Sequence, residues 1–129
     1  MKDGKHVILC VDDDADILEA ARMILESDGY VFVGAASAEQ GLQAYERLKP
    51  DLLIVDLMME EVDSGTGLVR ELKARGNKAP AFMLSSVGDS LSQLTDYGDL
   101  GLAGVFQKPL DSGKLLATIG ARLRAKGRK

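Results

Sequence analysis

The strongest constraint on this chain is an alternation. Five short apolar runs, at 6–11, 30–35, 52–55, 81–84 and 105–106, are separated by stretches with helical spacing. Most of the runs are near-continuous, the pattern of strands buried on both faces of a parallel sheet. After the first run, Ile17, Leu18, Ala21, Ile24 and Leu25 form one apolar stripe, with Asp14 as the predicted N-cap and Gly29 as the stop. Ser37 followed by Gln40 predicts a capping box, opening a helix that turns Leu42, Tyr45 and Leu48 inward. Leu68, Val69 and Leu72 mark a third helix, closed by Gly76. Residues 89–98 carry a sparser helical pattern through Leu91 and Leu94. A last helix starts near Asp111 and carries Leu115, Ile119 and Leu123. A β-α unit repeated five times predicts an α/β protein with a right-handed, doubly wound, five-stranded parallel sheet.

The 129 residues leave room for one domain, 1–129, without linker, repeat or low-complexity segment. Apolar residues at 46% and charged residues at 28% exclude a mostly disordered chain. No apolar run approaches the roughly 20 residues that span a bilayer, so no membrane association is expected. The first five residues lead into only six apolar or near-apolar ones, which is not the pattern of a signal peptide. Cys10 has no partner for an intrachain disulfide, and a cytoplasmic location is expected. Cys10 and His6 together are too few for a zinc site, and both read as packing residues. Charge is unevenly placed. Residues 121–129 hold Arg122, Arg124, Lys126, Arg128 and Lys129 and no acid; without them, 20 acids face 11 bases and residues 1–120 carry −9. An acidic body argues against direct nucleic-acid binding by the fold, and the basic tail reads as a solvated helix end.

In open parallel sheets, ligands bind outside the carboxyl ends of the strands. Asp12, Asp13 and Asp14 follow the first strand, Asp56 the third, Ser85 and Ser86 the fourth, and Lys108 and Pro109 the fifth. Singly these are ordinary residues: helix-capping acids, a strand-end turn, a turn serine, a solvated lysine. Convergence on one edge of one sheet is what argues for chemistry. Clustered carboxylates repel unless a cation joins them. An oxygen-only ligand set suits Mg²⁺. A carboxylate beside Mg²⁺, a hydroxyl and an ammonium is equipped for phosphoryl transfer, attacking phosphorus while the cations hold the phosphoryl oxygens.

At these residues the chain resembles the receiver domains of two-component response regulators, over about residues 5–124. ILCVDDDADIL is similar to the family's first strand with its acidic pair, at Asp12 and Asp13. DLLIVDLMM is similar to the third strand ending in the phosphoacceptor, at Asp56. FMLSS matches the fourth-strand segment, with Ser85 in the Thr/Ser position, and VFQKPL the fifth, with Lys108 in the lysine position before Pro109. The spacings, 43 residues from Asp13 to Asp56 and 52 from Asp56 to Lys108, also resemble the family's. The resemblance implies a flavodoxin-like strand order 2-1-3-4-5. It implies a phosphorylatable switch, not a turnover enzyme, with Asp56, Ser85 and Lys108 handling the phosphoryl group. Mg²⁺ would be held by Asp13, Asp56 and the Met58 carbonyl, with Asp12 acting through water. The implied donor is a sensor histidine kinase or a phosphotransfer protein. The implied output is a changed surface on the fourth helix, fifth strand and last helix, read by a downstream protein target. A phosphorylation-dependent dimer is also compatible, and the chain is either a stand-alone receiver or one excised from a longer protein.

Three features depart from the family pattern. Glu60 replaces the usual Pro in the 58–65 segment, which carries an extra residue. Val105 stands at the usual aromatic switch position, while Phe106, one step later, is expected on the other side of the strand. Met58 and Val87 put apolar side chains where the family's influence attacking water. Other readings of the acids are weaker. Asp12-x-Asp14 resembles the start of a haloacid-dehalogenase-type phosphohydrolase motif, but Asp16 stands where Thr or Val is wanted. A nucleotide or flavin site lacks its Gly-rich turn. A calcium loop would need Gly at Ile17 and Glu at Met23.

Overall fold

The computed structural model describes residues 4–56, 64–85, 103–108 and 110–127. Its strands are β1 Val7–Val11, β2 Val31–Ala35, β3 Leu52–Asp56, β4 Ala81–Ser85 and β5 Gly104–Gln107. Its helices are α1 Ala15–Ser27, α2 Ala38–Leu48, α3 Ser64–Ala74 and α4 Ser112–Gly127. The predicted 89–98 helix lies outside the described residues.

All strand pairs are parallel and the order is β2-β1-β3-β4-β5, the flavodoxin-like arrangement. Every residue of β1, β3 and β4 is buried, so continuous apolar runs did report strands covered on both faces. The edge strands differ. β2 is mostly half-buried, and β5 alternates between half-buried and exposed positions. An edge strand lacks a neighbour on one side, so its side chains keep more water.

Two apolar layers sandwich the sheet. On one face Leu9, Val11, Leu53, Val55 and Met83 pack with Ala44 of α2 and Leu68, Val69 and Leu72 of α3. On the other, Ile8, Cys10, Ile54, Phe82 and Leu84 pack with Ala21 and Leu25 of α1 and with Leu115, Ile119 and Leu123 of α4. Phe106 packs in this second layer, its ring stacked on Phe82 with centroids 4.9 Å apart, while Val105 is exposed on the opposite side, as the strand's alternation requires.

One local expectation holds and one needs correction. Leu42 and Tyr45 of α2 pack half-buried against the first layer, Leu48 is half-buried too, and the deepest positions of the helix are Gly41 and Ala44. A Cβ at Gly41 would stand 2.9 Å from Val11 Cγ2 and 3.1 Å from Leu68 Cδ2, so α2 meets β1 and α3 there at a distance that leaves no room for a side chain. At the same helix, Ser37 Oγ accepts from Gln40 N–H at 3.1 Å, but Gln40 Oε1 accepts from Ala36 N–H at 2.9 Å. The box closes one residue earlier than expected. Asp14 does cap α1, accepting from the Asp16 N–H at 2.9 Å, and Gly29 and Gly76 take the positive φ that ends the turns after α1 and α3.

Candidate functional site

Register builds the site. Val11 of β1 and Val55 of β3 are partners, so the next residues, Asp12 and Asp56, emerge side by side from adjacent strands. Ser85 ends β4 one residue beyond Leu84, the partner of Asp56. Lys108 follows β5, and its backbone N–H donates to the Ser85 carbonyl at 2.8 Å. Asp12 is held by donating its N–H to the Ala35 carbonyl of β2 at 3.0 Å. Its Oδ1 accepts the Asp14 N–H at 2.8 Å, an Asx turn that leads into the α1 cap.

Five predicted site residues therefore meet at one edge. Asp12, Asp56 and Ser85 are buried there, and Asp13 is exposed at the rim. Lys108 Nζ lies 2.9 Å from Asp12 Oδ2 and 3.3 Å from Asp56 Oδ1. The contact to Asp56 is a hydrogen bond; that to Asp12 is an ion pair whose angles fall short of one. Burial pulls the Lys108 pKa down, but Asp12 and then Asp56 outweigh it, so the ammonium holds its proton above the ordinary lysine range. The buried Cys10 thiol behind the site is pushed up to about 12, by desolvation first and by Asp12 second, and is inert. Met58, Ser86, Val87 and Pro109 lie outside the described residues.

One ammonium faces two buried carboxylates, with a third at the rim. Asp12, Asp13 and Asp56 each offer an oxygen within 4.8 Å of the others. Mg²⁺ takes oxygen ligands at about 2.0–2.1 Å and keeps several waters in its shell, so few protein carboxylates are needed. Hard oxygen donors of excess negative charge fit that ion.

Residues 8–120 match the response regulator receiver domain family. The chain belongs to this family. It is 35% identical over 117 residues to the response regulator MprA of Mycobacterium leprae, covering 91% of this chain and 50% of that one. It is 32% identical over 127 residues to the transcriptional regulatory protein CseB of Streptomyces coelicolor, covering 98% of this chain and 53% of that one. The chain thus spans about half the length of the curated relatives it matches. Among solved structures, the CheY-like response regulator receiver domain protein of Methanospirillum hungatei JF-1 superposes with a TM-score of 0.86 at 28% identity, covering 97% of this chain and 98% of that one. Receiver domains are signalling modules of two-component systems, and they generally bind Mg²⁺. Among the described residues no helix is long and apolar enough to cross a membrane.

Proposed function

We propose that this receiver accepts a phosphoryl group on Asp56 and is a switch, not a turnover enzyme. The observation that carries the reading is the meeting of Asp56 and Lys108 Nζ at 3.3 Å in a buried edge that also holds Asp12 and Ser85. Asp56 is the nucleophile: a carboxylate oxygen attacks phosphorus in line as the donor's bond to phosphorus breaks, and the leaving group departs on the far side. Lys108, already placed between the two buried acids, follows the new negative charge onto the phosphoryl oxygens. The Ser85 hydroxyl, one residue beyond Leu84 at the same edge, donates to one of them. Asp13, Asp56 and the Met58 carbonyl would hold Mg²⁺, with Asp12 acting through water. When bound, Mg²⁺ offsets the charge of the transferring group.

The donor is a histidine kinase or a phosphotransfer protein. The output is a downstream protein that reads the β5–α4 side of the sheet together with the 89–98 segment. With Val105 and not an aromatic ring at the exposed β5 position, that output works through backbone and loop shifts that bias a pre-existing equilibrium. The unit is one receiver over 1–129 with its core at about 5–124. It works in the cytoplasm and does not bind nucleic acid through the fold; phosphorylation-dependent pairing is an additional output. The test is intact mass after incubation with acetyl phosphate and Mg²⁺. The protein gains one phosphoryl group, about 80 Da, and Asp56→Asn gains none because an amide is not a nucleophile. Modification persisting in that variant overturns the assignment.

A further inference from the structure

The two oxygens of the Asp12 carboxylate have different surroundings. Oδ1 accepts the Asp14 N–H at 2.8 Å. Oδ2 faces Lys108 Nζ at 2.9 Å, yet among the described residues it has no hydrogen bond. Asp12 is fully buried, so these two contacts and not bulk water set the direction of its carboxylate. The first of them comes from the start of α1. Residue 14 makes three bonds at once. Its N–H goes to Asp12, its Oδ1 accepts the Asp16 N–H at 2.9 Å, and its carbonyl accepts the Leu18 N–H at 3.1 Å. The last two are the cap and the first backbone bond of a 13-residue helix. They hold residue 14 extended, at φ −92° and ψ 111°, with its N–H aimed back at Asp12. The beginning of α1 is thus tied to a buried acid of the site.

We propose that Asp14 is a positioning residue for the phosphorylation site and acts through Asp12. By capping α1 it fixes the N–H that engages Oδ1, and so leaves Oδ2 as the acceptor turned toward Lys108 and the waters of a bound ion. The inference rests on the reading of this edge as a phosphoacceptor site. A buried carboxylate oxygen without a hydrogen bond is costly, and a water in the shell of Mg²⁺ is a donor that satisfies it. With Oδ1 engaged, Asp12 meets that water with one oxygen in one orientation. Without the cap, the first turn of α1 frays and residue 14 leaves its extended conformation. The Asp12 carboxylate is then free to turn, exchanging its two oxygens between Lys108 and the metal's waters. The negative charge of Asp14 is not the active feature. Asp14 is exposed, and an asparagine offers the cap the same acceptor, whereas an alanine offers none.

The experiment compares Asp14→Asn with Asp14→Ala in the whole chain, by Mg²⁺ titration and by amide hydrogen exchange. Both variants lose the charge, and only the alanine loses the cap acceptor. Asp14→Ala is expected to weaken Mg²⁺ binding at least about threefold, while Asp14→Asn stays within about twofold of wild type. In an Asp12→Ala background, adding Asp14→Ala changes Mg²⁺ affinity by less than about 1.5-fold, because the route through Asp12 is gone. Without metal, the amide of residue 14 exchanges at least about fivefold faster in Asp14→Ala and in Asp12→Ala than in wild type or Asp14→Asn. A cap that only stabilises α1 would lower the unfolding midpoint of Asp14→Ala and leave Mg²⁺ affinity unchanged, and that result overturns the proposal. So does equal weakening by Asn and Ala, which makes charge the cause, or an equal effect of Asp14→Ala with and without Asp12. A wild type that binds no Mg²⁺ overturns the reading of the edge as a phosphoacceptor site, whereas fast exchange of the Asp14 amide in wild type overturns the positioning role itself.

Discussion

β3 and β5 deliver opposite charges to the same site from opposite kinds of strand. β3 is central, paired on both sides and buried along its whole length, and it ends in Asp56. β5 is an edge strand of four residues, paired on one side, half-exposed, and followed by Lys108. The nucleophile is therefore fixed in the best-packed part of the molecule, while its cation hangs from a strand with fewer restraints. A phosphoryl group arriving between them meets a rigid acceptor and a partner free to follow the charge. The difference suits a switch: the side able to respond is the one whose surface is open to a partner.

Cutting into each strand breaks the comparison most directly. Ile54→Ala, in the fully buried middle of β3, is expected to cost about 2–5 kcal/mol in denaturant unfolding. A cost no greater than that of a β5 substitution would show that the two strands are not so different in restraint. The next largest effect concerns metal. Asp13→Ala removes the exposed rim carboxylate, and Mg²⁺ titration should weaken at least about tenfold while stability in its absence stays within about 0.5 kcal/mol. Unchanged Mg²⁺ binding would place the ion away from this trio.

The Lys108 pair sharpens the comparison through pH. Because the folded chain holds the Lys108 proton more tightly than the unfolded chain, the stability from its contacts is complete below the ordinary lysine pKa of 10.5. As pH rises past that value the unfolded chain loses the proton first, so stability falls until the higher folded pKa is passed. Unfolding followed across this range should show the decline in the wild type and a shallower one in Lys108→Met. Equal slopes would mean that Asp12 and Asp56 do not hold the ammonium. The smallest effect is expected at Val105→Ala. This side chain is 39% exposed on the edge strand, and its loss should cost less than about 1 kcal/mol while changing which partners the phosphorylated protein engages. A core-sized loss of stability there would show that β5 is as firmly packed as β3.

Much of this was legible in the chain itself. Continuous apolar runs at 52–55 and 81–84 report buried parallel strands because a strand covered by helices on both faces needs apolar side chains in both directions. The order of the acids, the serine and the lysine at strand ends identified the edge where they meet, since parallel strands all end on one side. The spacing at Gln40 told where α2 begins, and Val105 against Phe106 told which ring faces inward, because strand alternation is local geometry. Tertiary structure decided the rest. That Gly41 and not Leu42 is the deepest point of α2 depends on how near Val11 and Leu68 approach it. That Lys108 serves Asp12 as well as Asp56 depends on the register of β1 against β3, which brings residues 44 apart in sequence side by side. Each of these is a distance between elements, set by side chains on both, and a pattern along one element carries no record of it.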